Sequence, residues 1–151
     1  MAVIDAHAHI YPDKIAAAAV DAVGDFYEVN MFGDGTAAGL LSAKDRSPIT
    51  HFLVHSVATS VHAVTAINNA IAQACQAHTE FIGFAAMHQD FEDPATELQR
   101  AVDLGLHGVK LHPDTQKVNM DDPRLMEVYA ICEEMGLPVV IHTGDYRYDF
   151  S

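Results

Sequence analysis

The sequence predicts an α/β fold of parallel β/α units. Short apolar runs alternate with helical stripes, and two helices open on the same start signal, Asp93-Pro94 and Asp122-Pro123. From the third apolar run onward the units recur every ~30 residues, close to the ~31 of an eight-unit β/α barrel of ~250 residues. A helix after each apolar strand implies a parallel sheet with right-handed crossovers. Five strands are legible. The expectation is therefore the first five strands of a TIM-type (β/α)8 barrel, incomplete within these 151 residues, with 1–151 as a single partial barrel domain.

The first strand is Val3-Ile4-Asp5-Ala6-His7-Ala8-His9, whose alternation puts Val3, Asp5, His7 and His9 on one face. Pro12 and Asp13 lead into an alanine-rich helix, Lys14 to about Val23, with a stop expected near Gly24. Between Asp25 and Ser47 three glycines interrupt the pattern, and Leu40-Leu41 suggests a short helix before Pro48. Thr50 to Ser56 reads as the second strand, and His62 to Ala77 as a long helix with Val64, Ile67, Ile71, Ala74 and Cys75 on one stripe. Phe81 to Met87 is a third, almost wholly apolar strand, as expected when both faces are covered.

Asp93 reads as a helix cap with Pro94 at the first position, and Gly105 as the stop. Gly108 to His112 is the fourth strand, closed by Pro113. The helix from Asp122-Pro123 carries Leu125, Val128, Tyr129, Cys132 and Met135 on one stripe and ends at Gly136. Val139-Val140-Ile141-His142 is the fifth strand. An incomplete barrel exposes an apolar strand edge, so a homo-oligomeric partner or the remainder of a barrel is expected to cover it.

Twenty-one acidic residues against eight basic ones give a net charge of −13. Without a basic patch there is little to hold a phosphate backbone, so nucleic acid is not an expected partner. No apolar run approaches the ~18 residues of a membrane span. Cys75 and Cys132 each sit in a helical pattern and read as small buried residues rather than a disulfide pair. With no room for a secretory leader before the first strand, the expected location is the cytoplasm.

In parallel α/β folds, sites gather at the C-terminal ends of the strands. His7 and His9 end the first strand, His55 the second, His112 the fourth and His142 the fifth, with His88 just past the third. A catalytic zinc takes three protein ligands and keeps one position for water. His7, His9 and His142 are the best set, on apolar strands that would converge inside a barrel. Lys110 and His112 share a strand face and are candidates for substrate contact, although Lys110 reads equally well as a snorkelling lysine. Tyr146 and Arg147 are further substrate-facing candidates. His55 and His88 read as structural. Asp5 suits a role behind the histidines, orienting an imidazole, or else a carboxylate bonded to backbone amides.

Three segments together resemble the metal-dependent amidohydrolase superfamily, in its amidohydrolase-2 branch, which includes decarboxylases of the aminocarboxymuconate-semialdehyde type. They are Ile4-Asp5-Ala6-His7-Ala8-His9-Ile10, Gly108-Val109-Lys110-Leu111-His112-Pro113 and Leu137-Pro138-Val139-Val140-Ile141-His142-Thr143-Gly144. The resemblance implies a distorted β/α barrel, one divalent metal (zinc first) with a ligand at His142, and hydrolysis or non-oxidative decarboxylation of a small substrate. It also implies a sixth-strand histidine and an eighth-strand aspartate, the latter a ligand and proton-transfer group, both lying beyond Ser151.

The first functional expectation is accordingly a metal-dependent hydrolase or decarboxylase of a small carboxylated or amide-containing substrate, with the site incomplete in this chain. A non-catalytic half-barrel that folds or associates without activity is the alternative. A metal-dependent nuclease of the TatD type ranks below both, because that family looks for glutamate on the fourth strand, where this chain has Lys110 and His112.

Overall fold

In a computed structural model, residues 1–143 are described. Tyr146 and Arg147 lie outside the described residues.

Among the described residues six strands form two three-stranded sheets, and each pairing there is parallel. The first sheet holds β1 (Ile4–His9), β2 (His51–His55) and β3 (Phe81–Gly83) in that order. The second holds β4 (Ala85–Ala86), β5 (Val109–Leu111) and β6 (Val139–Ile141). The expected third strand is thus split at Phe84. Its backbone explains the split: Phe84 N–H donates to Val54 O at 2.9 Å, and Ala85 N–H donates to Gly108 O at 2.8 Å. One apolar run leaves its neighbour in the first sheet and joins the second, so the sheet bends and six strands stand among the described residues where five were expected.

Among the described residues six α-helices lie between the strands: α1 (Asp13–Tyr27), α2 (Ala37–Ser42), α3 (Val64–Ala77), α4 (Pro94–Asp103), α5 (Pro113–Gln116) and α6 (Pro123–Met135). The two expected caps form. Asp93 accepts from Thr96 N–H at 3.0 Å, and Asp122 from Arg124 N–H at 2.9 Å. Gly105 and Gly136 adopt the left-handed conformation expected of helix stops, at φ +91° and +67°.

Gly24 does not end α1. The helix continues to Tyr27, and Glu28 takes the left-handed position instead at φ +55°. The excursion that follows is closed by Tyr11 N–H donating to Gly35 O at 2.8 Å. Residues 12–34 are therefore an insertion beyond the end of β1, and α1 buries only Ala16. The sheet is covered here by the short α2, whose Ala37, Leu40 and Leu41 pack on the core. A second element unread in the sequence is α5, which begins at the Pro113 that closes the fourth strand.

The core lies between the strands and helices α3, α4 and α6. Phe52, Val54, Leu98, Val109, Leu111 and Leu125 are fully buried there, each contributing ~1.5–3 kcal/mol relative to exposure. One polar network crosses it. Asn68, fully buried in α3, accepts from Ala86 N–H at 2.7 Å and donates to Glu97 at 2.7 Å, while Glu97 is clamped by Arg100 at 2.6 and 2.8 Å. Asn68 thereby holds β4 beside the bend. At the outer end of the first sheet, Val3 and Ile4 remain exposed, and among the described residues no strand pairs with that side of β1.

Gly108 shows how tightly the bend is packed. A Cβ there would meet the Phe84 ring and sit 2.7 Å from Pro138 O, a backbone atom that cannot swing aside. Gly108→Ala is expected to lower stability by about 1–3 kcal/mol, read as a reduced urea midpoint with unchanged slope.

Candidate metal and substrate site

Parallel register decides which histidines meet. His9 pairs with His55 across β1 and β2, and neighbouring strands lie ~4.8 Å apart. The two rings accordingly stand edge to face with centroids 4.5 Å apart, and the His7 ring contacts His55 at 4.6 Å. A bulge between Asp5 and Ala8 breaks the simple alternation of β1. Asp5 serves that bulge: its carboxylate accepts from His7 N–H at 3.1 Å, so it binds backbone instead of orienting an imidazole. His7 and His9 still converge, with their Nε2 atoms 3.2 Å apart.

A second group forms at the ends of β5 and β6. Lys110 and Val140 are register partners, and His112 and His142 lie just beyond their strands. The two imidazoles stack, with centroids 4.0 Å apart and planes 10° from parallel. Asp114, in α5, places a carboxylate oxygen 3.3 Å from His142 Nε2. Tyr27, at the end of the inserted α1, brings its hydroxyl to 2.8 Å from His112 Nε2 and 3.4 Å from His142 Nε2. Donor atoms of His7, His9 and His55 all lie within 4.8 Å of one another, as do those of His112, Asp114 and His142.

The sequence-predicted residues therefore fall into two neighbouring clusters, with His7 and His9 in one and His112 and His142 in the other. Lys110 acts on both. Burial, then its neighbours' charges, hold His9 down to about 3 and His55 to about 2, and in each case Lys110 is among those neighbours. Burial pushes His112 to about 4, with His142 and Lys110 as the next causes. His7 is lowered by burial, then by Lys110 and His142, which ties the two clusters electrostatically. Lys110 itself is 1% exposed and is lowered by burial to about 8. Its extended stem does not snorkel to water.

Buried polar atoms without a hydrogen-bond partner among the described residues concentrate here: His9 Nδ1, both ring nitrogens of His55, and Lys110 Nζ. Such atoms are costly unless something satisfies them. The spacing of the His7 and His9 Nε2 atoms beside them fits a metal. Two nitrogens each ~2.1 Å from one tetrahedral ion stand ~3.4 Å apart, close to the observed 3.2 Å between His7 and His9. Burial keeps these imidazoles neutral, the form that binds metal.

Three contributors escaped the sequence. His55, read there as structural, lies in the first cluster, because strand register is invisible in a single sequence. Asp114 is presented by the unread α5. Tyr27 comes from the insertion, 85 residues from its partner His112. Gln116 holds the rim together: its side chain accepts from His112 N–H at 2.8 Å and donates to Ala58 O and Met87 O at 3.1 and 2.7 Å. His88, by contrast, stands apart from both clusters, 3.7 Å from Asp90.

Parallel β/α order with histidines gathered at the carboxyl ends of the strands defines the class to which the chain should be compared. The amidohydrolase family model matches residues 4–150. The chain belongs to the amidohydrolase family, in its amidohydrolase-2 branch, a metal-dependent family. It is 34% identical over 79 residues to 2-amino-3-carboxymuconate-6-semialdehyde decarboxylase of Dictyostelium discoideum, a match covering 50% of this chain and 22% of that protein.

Among solved structures it resembles 5-carboxyvanillate decarboxylase of Novosphingobium aromaticivorans, with bound manganese, at TM-score 0.68 and 18% identity over 93% of this chain and 50% of that one. An amidohydrolase II structure aligns at TM-score 0.70 and 19% identity, covering 96% of this chain and 51% of that chain. The chain thus spans about half the length of these structures.

The depressed histidines make an acid-sensitive core in the metal-free chain. Their folded pKa values lie below 6.5, so unfolding takes up protons as pH falls below 6.5. Stability from these burials is complete above pH 6.5 and declines as pH falls toward 3. Each histidine contributes a slope of up to about 1.4 kcal/mol per pH unit in that window. Urea midpoints between pH 6.5 and 4.5 should show this fall, and His55→Asn should flatten it.

Proposed function

We propose that this chain carries part of the active site of a metal-dependent hydrolase or non-oxidative decarboxylase acting on a small carboxylated or amide-containing substrate. The observation that carries the reading is the 3.2 Å approach of His7 and His9 Nε2 beside the buried His55 imidazole, neither of whose nitrogens has a hydrogen-bond partner among the described residues. In this reading His7, His9 and His142 hold one divalent metal, zinc first. The bound manganese of the 5-carboxyvanillate decarboxylase structure makes manganese the next choice. The decarboxylase names of two relatives favour decarboxylation.

Such an ion supplies Lewis acidity and lowers the pKa of a bound water. The chain's own residues divide the remaining work. His7 and His9, whose affinity for protons is lowered by burial, present nitrogen lone pairs to a cation rather than competing for protons. Lys110 offers a buried amine to an anionic group of the substrate, where the low-dielectric setting strengthens the attraction. His112 lines the same space, fixed by Gln116 and Thr115. Tyr146 and Arg147 remain candidates for substrate contact.

No helix among the described residues is long and apolar enough to cross a membrane. Cys75 and Cys132 are both free thiols, which suits the proposed cytoplasmic location. The exposed Val3 and Ile4 favour a second reading, a half-barrel that associates through β1 without catalysis. Homo-oligomers or a remaining barrel segment are the partners that edge would take.

Metal analysis tests the first reading. After dialysis with zinc or manganese, the chain should retain about one equivalent of metal, and the double variant His7→Ala/His9→Ala should retain almost none. Equal metal content in both would overturn the assignment, and a metal-free dimer in solution would favour the second reading.

A further inference from the structure

His55 stands against both proposed β1 ligands, yet its ring nitrogens bond to nothing among the described residues. It ends β2 as the register partner of His9, one strand away. The bulge in β1 lets His7 reach the same neighbour, and both rings stand edge to face on His55, with centroids 4.6 and 4.5 Å away. The His55 side chain is 0% exposed. A neutral imidazole offers one lone pair and one N–H. Leaving that lone pair buried without a donor is costly, and a cation satisfies it. His7 is exposed, His9 half-buried and His55 buried, so the three histidines span the depth from rim to core.

We propose that His55 is a third nitrogen ligand of the ion held by His7 and His9. The inference rests on the reading of that pair as metal ligands and adds a donor from the neighbouring strand. Donor atoms of the three histidines already lie within 4.8 Å of one another. Nitrogens ~2.1 Å from one tetrahedral ion stand ~3.4 Å apart, so a closure on the order of 1 Å completes the set. The rings agree with this. Three imidazoles on such an ion have centroids roughly 5 Å apart, against 5.2, 4.6 and 4.5 Å here. Three imidazoles with no carboxylate among them suit zinc better than manganese, magnesium or calcium.

Cadmium-113 tests the ligand set directly in the wild-type chain. With nitrogen-15 in the histidine rings, scalar coupling to the bound ion is expected at one ring nitrogen each of His7, His9 and His55. Zinc affinity gives a second readout. His55→Leu replaces the imidazole with an apolar side chain of similar volume, and should bind zinc about a hundredfold or more weakly than the wild type. Changing a residue that only orients a ligand already costs about 10–100-fold. Circular dichroism of the metal-free variant checks its fold, and should the variant unfold, the coupling in the wild type decides. Coupling to His7 and His9 without His55, or equal zinc affinity in wild type and folded His55→Leu, would overturn the inference and leave the His7–His9 reading standing. A wild-type chain that binds neither ion overturns both.

Discussion

Parallel register is the constraint on which this structure depends. Because every strand runs the same way, all strand ends reach one rim, and the residue that ends each strand is delivered there. Register then selects neighbours within the rim. Pairing of His9 with His55 brings two imidazoles from different strands into contact, and pairing of Lys110 with Val140 sets His142 beside His112. A slip of one residue in either pairing would turn those side chains to the opposite face. Site and sheet are thus specified by the same backbone bonds.

Two buried amides keep that register where the sheet is weakest. Asn68 supplies the acceptor for Ala86 N–H beside the bend, and Gln116 ties His112 to the loops after β2 and β4. Both are polar residues in apolar surroundings, tolerable because their hydrogen bonds are made. Among the described residues, most of the buried polar atoms left unmatched lie at the rim instead, on His9, His55, Lys110 and Asp114, with Gln89 Oε1 and the Tyr129 hydroxyl as the others. Satisfaction in the scaffold beside deficit at the site is the arrangement expected when a ligand or ion completes the deficit.

Most of the architecture was legible locally. Aspartate-proline caps, glycine stops and apolar strand runs act over a few residues, and Asp93, Asp122, Gly105 and Gly136 behave as their chemistry requires. Gly24 does not act as the stop: Glu28 takes the left-handed position instead, and Val29 N–H bonds back to Gly24 O. The third strand reads as one element because Phe81 to Met87 is uniformly apolar. It divides at Phe84 because successive backbone groups bond to different neighbours, which apolar character cannot reveal. The histidine rim was readable from strand ends, whereas its division into two clusters was not.

The sequence by itself determined the alternation of strands and helices, the parallel order that follows from it, and the delivery of His7, His9, His112 and His142 to one rim. These depend on periodicity and on short-range caps, both written in neighbouring residues. Only the tertiary structure decided that His55 joins His7 and His9, that Asp114 meets His142, and that Tyr27 reaches His112 across 85 positions. Those contacts depend on strand register and on how an insertion folds back over the rim. They are set by packing between segments distant in the chain, which no local pattern encodes.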